Sequence, residues 1–350
     1  NDGTVQSQRR ASYKKWWTGV MINQDRSIRE KLMLFLIDHF GNETTDIGVS
    51  NWTYRQHALI RQYALGNYKE LVRNITKDLS MLRYLNGYLN NASAPDENYA
   101  RELFELFTLG KGPDSQYTEA DVKEAAKVLT GWQINFTTWQ TIFTASRHST
   151  ANKTFSPFFN NTVITGRTGA TAGDLELADL LNMVFSQGEV AKFIVRKLYR
   201  WFVYYTIDDN TEQQVIAPLA TIFRNNNYEL KPVLTALFQS QHFYDVLNRG
   251  CVIKNPADQF LAYMKSVTVQ DALIDRFKLL ERYEVKTKTD ARLALTGYVR
   301  FASGKDGLIS VEVEDRDPQF AADLANAHVE ELGKLLGRLA TTEAQQRRLF

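Results

Sequence analysis

The sequence predicts a mainly α-helical chain: a multi-helix domain with one long Trp-, Thr- and Asn-rich loop, then a small α+β module at the C-terminal end. Three observations carry this expectation. Over the first 130 residues apolar side chains recur at helical spacing between capping signals. Residues 132–173 break that periodicity with Thr, Asn, Phe and Gly. Near the end, Gly307-Leu308-Ile309-Ser310-Val311-Glu312-Val313 alternates apolar and polar positions, as a half-buried strand does.

The helices follow in order. Ser27-Ile28-Arg29-Glu30 reads as a capping box, in which Ser27 takes a free amide and Glu30 reaches back. Ile28, Leu32, Phe35 and His39 then share one face, and Gly41 supplies the stop. A second helix is expected over 52–64, carrying His57, and a third over 67–87 with Leu71, Ile75, Leu79 and Leu82 inward. The fourth begins after Pro95 and runs through Glu105 to Gly110. Thr118-Glu119-Ala120-Asp121 is a second capping box, opening a helix that ends at Gly131. The loop 132–173, with Trp132, Trp139 and His148, includes a candidate strand region over 132–143; loops this long in compact domains usually serve function. Helices resume over 175–185, 189–205, 211–225 and 231–239, and 240–256 is a connection. In the tail, Asp317-Pro318 opens a helix with Asp317 as its cap.

Bulk properties exclude several classes. The chain has 350 residues, 44% hydrophobic and 23% charged, ordinary for a globular protein with a sizeable core. Its 42 basic and 40 acidic residues leave a formal charge of +2, so no nucleic-acid partner is expected. Cys251 is the sole cysteine, which rules out an internal disulfide framework. No apolar run approaches the ~18 residues of a membrane helix, and no signal peptide is visible at the N-terminus, which begins Asn1-Asp2-Gly3. Phosphate-cradling loops, nucleophile elbows and His-Glu-x-x-His zinc motifs are absent.

Several stretches carry a family resemblance. They are Arg29-Glu30-Lys31-Leu32-Met33-Leu34-Phe35-Leu36-Ile37-Asp38-His39-Phe40 and, more specific, Glu97-Asn98-Tyr99-Ala100-Arg101-Glu102-Leu103-Phe104-Glu105-Leu106-Phe107-Thr108-Leu109-Gly110 with Tyr117 to Val122 and Leu129-Thr130-Gly131-Trp132. His148 with Lys153-Thr154-Phe155 and Lys197-Leu198-Tyr199-Arg200-Trp201-Phe202 complete the set. In order and spacing, residues 16–262 resemble the bacterial DUF1800 family, whose molecular function is not established. That family often places a second His just before His39, where this chain reads Leu36-Ile37-Asp38. From 266 to 350 the chain instead resembles the periplasmic part of Wzz-type polysaccharide chain-length determinants, through Thr268 to Phe277, Gly304 to Val311 and Asp315-Arg316-Asp317-Pro318. The resemblances divide the chain at 262/263. The membrane helices that anchor Wzz-type proteins have no counterpart here, which a chimeric or misassembled gene explains better than a natural fusion.

Asn98, Arg101, Glu102 and Glu105 stand at i, i+3, i+4 and i+7, one polar stripe on an otherwise apolar helix. On composition this is a solvated face with an Arg101–Glu105 pair worth roughly 0.2–0.5 kcal/mol. The resemblance turns it into a candidate pocket, because these polar positions belong to the family motif. Catalytic candidates are Glu102, Glu105, Arg101 and His148; binding candidates are Asn98, His39, His57, Lys153 and Glu119. Glu119 also has a plain role as a first-turn carboxylate. If Glu102, Glu105, His39 and His148 converge, the set suits a divalent metal, although no cofactor is assigned. Three readings result: an exported, periplasmic or envelope-associated helical protein with a polar pocket around 98–105; a hydrolase, metal-assisted in one version; and an assembly role in surface-polysaccharide production, with oligomers forming through the tail.

Overall fold

The computed structural model describes residues 3–24, 26–248, 266–303 and 309–347. The expected division at 262/263, Cys251 and the first two residues of the alternating run, Gly307 and Leu308, lie outside these residues. The protein is mainly α, and its chain divides into two compact units, Ser27–Val252 and a second formed by Asn1–Arg26 with Ile253–Phe350.

In the larger unit, side-chain caps set several helix starts. Asn67 accepts from the Glu70 amide at 3.0 Å and opens Tyr68–Thr76. Asp78 accepts from the Met81 amide at 3.1 Å and opens Leu79–Tyr84. The single helix expected over 67–87 is therefore broken, because a well-placed Asp offers the backbone a cap in competition with the helical ladder. Thr118 and Asp121 form both halves of their capping box ahead of Glu119–Val128. The Ser27–Glu30 box does not form. Ser27 Oγ takes only the Arg29 amide, at 3.2 Å, while the Glu30 carboxylate grips Arg61 on the Ser50–Tyr63 helix.

The long loop holds two small antiparallel hairpins, Trp132–Asn135 with Gln140–Phe143 and Lys153–Thr154 with Val163–Ile164. Helices Ala172–Ser186, Gly188–Phe202, Ala217–Asn225 and Leu230–Gln239 follow. The unit is tied end to end where the Tyr68 amide donates to Tyr228 O at 2.8 Å and the Leu230 amide to Gly66 O at 2.9 Å. Its core is rich in rings: Phe35, Phe40, Tyr68 and Phe107 are buried around His39, and Phe185 and Phe223 pack on Tyr68.

The second unit is α+β. Strands Val299–Ser303 and Ile309–Val313 form a hairpin, against which the N-terminal helix Gly3–Asn23 packs. Helices Val267–Arg276, Lys288–Tyr298 and Pro318–Arg347 enclose a core of Val269, Leu273, Ile274, Leu295 and Leu324. Asp317 caps the last of them, its Oδ1 accepting from the Gln319 and Phe320 amides at 3.0 and 3.2 Å. No helix among the described residues is long and apolar enough to cross a membrane.

Gly131 joins the 119–128 helix to the first hairpin with φ of +94°, and an added Cβ would lie 2.9 Å from the Phe143 ring and 3.1 Å from Thr144 O. Gly131→Ala is expected to destabilise the 27–252 unit by about 1–3 kcal/mol, through strain plus overpacking. A urea midpoint unchanged from wild type, followed by tryptophan fluorescence, would contradict this.

Candidate functional site

The segment 96–110 is built from its backbone outward. Asp96 Oδ1 accepts from the Asn98 amide at 2.8 Å, and the helix Asn98–Glu102 starts there. From Leu103 to Thr108 the helix widens to the π form, which departs from the regular α-helix the periodicity predicts. The Leu109 and Gly110 amides both reach back to Phe104 O, and Gly110 ends the turn at φ +79°. Tyr99, Leu103, Phe104 and Phe107 face the core. π-turns carry poorer hydrogen-bond geometry than α-turns and concentrate at functional sites.

On the outer side, Arg101 holds Glu119 in a two-point clasp at 2.7 and 2.6 Å and reaches Glu97 at 3.1 Å. Glu105 lies 3.9 Å from Arg101 and pairs with Lys111 at 2.7 Å. The Arg101 hydrogen bond holds the Glu119 carboxyl below its usual range, although Glu119 is 70% exposed. Glu102 differs: its Oε2 is buried without a hydrogen-bond partner. Burial, then the neighbouring Glu105, push its carboxyl above the usual range. Tyr117 is pushed up to about 12 by burial and by Glu105. Asn98 is exposed, with its amide 3.4 Å from Leu85 O, and takes no part in this ion-pair cluster.

His39 is claimed by a buried chain. Its Nε2 lies 2.6 Å from the Tyr68 hydroxyl, which donates to Phe107 O at 2.7 Å. Lys197 Nζ lies 2.9 Å from His39 Nδ1 and 3.4 Å from Leu106 O. Burial, then the Lys197 charge, push the His39 pKa far down. His57 sits beside Arg61, whose Nη2 lies 3.2 Å from its Nε2, and burial and that charge lower it to about 4.

His148 and Lys153 meet on Glu176 of the 172–186 helix, all three side chains sealed from solvent. His148 Nε2 is 3.1 Å from Glu176 Oε1, Lys153 Nζ pairs with Oε2, and the Arg167 amide donates to Oε1 at 2.6 Å. His148 Nδ1 faces Thr130 O at 2.9 Å, so both ring nitrogens face oxygen. Burial alone would raise the Glu176 pKa; His148 beside it, the Lys153 ammonium and the Arg167 amide outweigh this and leave the carboxyl lowered.

Among the described residues, no three His, Cys, Asp or Glu side chains are grouped to hold a metal ion. The convergence of Glu102, Glu105, His39 and His148 does not form. His39 is turned into the aromatic core by Tyr68 and Lys197, and His148 is spent on Glu176. What the structure does bring together is Arg101, Glu102, Glu105 and Glu119, then His148 with Lys153, each set apart from His39 and His57. Tyr68, Lys197 and Glu176 were missed; Lys197 stands in a motif stretch, but nothing in an amphipathic helix marks it out.

The family model described as Protein of unknown function (DUF1800) matches residues 2–297. The chain belongs to this family. The match passes residue 262, where the sequence motifs change character, and no match to the Wzz-type family accompanies it. No curated protein and no solved structure matches the chain. Within this DUF1800 chain, the family-like motifs thus build both the 98–108 segment and the His148–Glu176–Lys153 cluster.

Glu176→Gln is expected to cost about 3–5 kcal/mol, because it strands the buried Lys153 ammonium without its counter-charge. Adding Lys153→Met should recover most of that loss in urea denaturation. A single variant as stable as wild type would show that the cluster carries no such dependence.

Proposed function

We propose that the 98–105 face is a ligand-binding, proton-donating site of a hydrolase, with Glu102 as the acid. The observation that carries this reading is the contrast within the stripe. Arg101, Glu105 and Glu119 are occupied in ion pairs, whereas Glu102 has a buried oxygen with no partner and a carboxyl held above its usual range. A carboxyl biased toward its acid form beside a second carboxyl is the arrangement general-acid catalysis uses to protonate a leaving group. Arg101, fixed by Glu119, orients the site, and Lys111, 71% exposed, offers positive charge at its edge.

A second reading assigns the tail an assembly role, in the manner of the Wzz-type proteins it resembles. It is supported by the α+β architecture of the second unit and by apolar side chains left outside, among them Leu293 at 75% exposure, Val267 and Val329. It predicts stable oligomers of the full chain by light scattering; a monomer across the micromolar range would remove it.

For the hydrolase reading, the full chain is assayed against a panel of p-nitrophenyl esters, phosphates and glycosides. Glu102→Gln is expected to lower kcat by about 10²-fold or more without a change in thermal midpoint. Because the Glu102 carboxyl is raised, its acid form persists above pH 4.5 and is lost as pH rises through its own pKa, so activity should fall on that side. Absence of turnover across the panel, or a Glu102→Gln enzyme as active as wild type, would overturn the reading.

A further inference from the structure

On the opposite side of the signature segment, the hydrogen bonds around His39 run in one direction only. Phe107 O is a carbonyl and can only accept, so the Tyr68 hydroxyl must spend its proton there. The Tyr68 oxygen then accepts from His39 Nε2–H, at 2.6 Å. The His39 ring, kept neutral by burial, is left with a bare lone pair on Nδ1. That lone pair faces Lys197 Nζ at 2.9 Å.

Lys197 is unusual among the described cations. It is half-buried, and no carboxylate of the described residues lies within ion-pair distance of it. The next residue along, Arg196, shows the contrast, since it engages Glu189 and Glu212. The surroundings of Nζ are His39 and, more distantly, Asp38 from the 29–39 helix, Leu106 O at 3.4 Å, Arg200 on its own helix and the Phe193 ring at 5.1 Å. An amine in such a place loses hydration and gains no carboxylate within ion-pair distance. Burial accordingly lowers the Lys197 pKa; Asp38 opposes this and Arg200 adds to it.

We propose that Lys197 is a nucleophilic amine that condenses with the carbonyl group of a small aldehyde or ketone to form an imine. Desolvation is a recognised route to a lysine reactive at neutral pH. The neutral Nζ attacks the carbonyl carbon, and the C=O π pair moves to oxygen. His39 Nδ1, already the acceptor, takes the proton that nitrogen sheds as the C–N bond forms. His39 returns that proton to the alkoxide, giving the carbinolamine hydroxyl; the nitrogen lone pair then closes the C=N bond as hydroxide departs, and the hydroxide takes the second N–H proton and leaves as water. Two N–H hydrogens and the carbonyl oxygen depart together as water, and no oxidant or reductant enters. His39 and Tyr68 are positioning residues here: they hold the acceptor in one tautomer. The site uses none of Glu102, Glu105 or Arg101.

Reductive trapping tests this on the full chain. The protein is exposed briefly to propionaldehyde with cyanoborohydride across pH 6.5–9.5, and alkylated lysines are quantified by peptide mass spectrometry. Lys197 should react at least about tenfold faster at pH 7.5 than the exposed Lys111 and Lys334, since each unit of lowered pKa raises the neutral fraction about tenfold. Its rate should also reach a plateau at lower pH than theirs. His39→Asn keeps an acceptor and should retain most of the rate, whereas His39→Leu should slow Lys197 while leaving Lys111 unchanged. The wild-type profile needs no variant to fold: a Lys197 rate and plateau equal to those of Lys111 would overturn the proposal.

Discussion

The hydrogen bond from the Tyr68 hydroxyl to the Phe107 carbonyl organises the larger unit, because its direction cannot be reversed. It joins the 68–76 helix to the π-helical end of the family signature, and through His39 it joins the 29–39 helix, then the 188–202 helix at Lys197. Four elements are thus committed to one proton arrangement in an aromatic core. The π widening matters to this. It aims the Leu106 and Phe107 carbonyls toward partners outside their own helix, Lys197 and Tyr68. A regular α-turn would keep its carbonyls in the ladder, and the buried hydroxyl and amine would then face the cost of unmet hydrogen bonds.

A second buried polar centre solves a different problem. A loop as long as 132–173 has a large conformational entropy to lose on ordering. Its two hairpins are too small to be stable alone. The chain answers by sinking His148 and Lys153 onto Glu176, with the Arg167 amide on the same carboxylate, while Asp121 accepts the Ser156 amide at 2.7 Å. Sealed charges are costly unless every lone pair finds a partner. Here Glu176 receives Lys153 and the Arg167 amide, with His148 Nε2 alongside at 3.1 Å, so the loop is held by the requirement that the Lys153 charge not be withdrawn.

What was legible in the sequence was what is local. The Thr118–Asp121 box, the Asn67 cap and the Asp317 cap depend on residues a turn apart, and each forms. The Ser27–Glu30 box has the same local pattern yet fails, because Arg61, 31 residues away, offers Glu30 a two-point charge pair that a backbone amide cannot match. The stripe Asn98, Arg101, Glu102, Glu105 was legible as a polar face, but not the π-turn beneath it, since hydrophobic spacing over one turn does not separate i+4 from i+5 bonding. Choosing His148 and Lys153 found two members of the buried cluster. Their partner stayed hidden because Glu176 sits on a helix whose sequence reads as simply amphipathic.

The signature segment therefore separates two groups that burial drives in opposite directions. Glu102 precedes the π-turn and is driven toward its protonated acid; Lys197 bonds to the carbonyls' side of it and is driven toward its free amine. One physical cause, removal from water, biases each group toward its neutral form, and a neutral acid and a neutral base are the forms that transfer protons. A purely structural helix gains nothing from this, since an apolar residue in either place would avoid the desolvation cost altogether. This chain has a carboxyl and an amine where Leu or Met would pack more cheaply, so packing stability alone does not account for either residue.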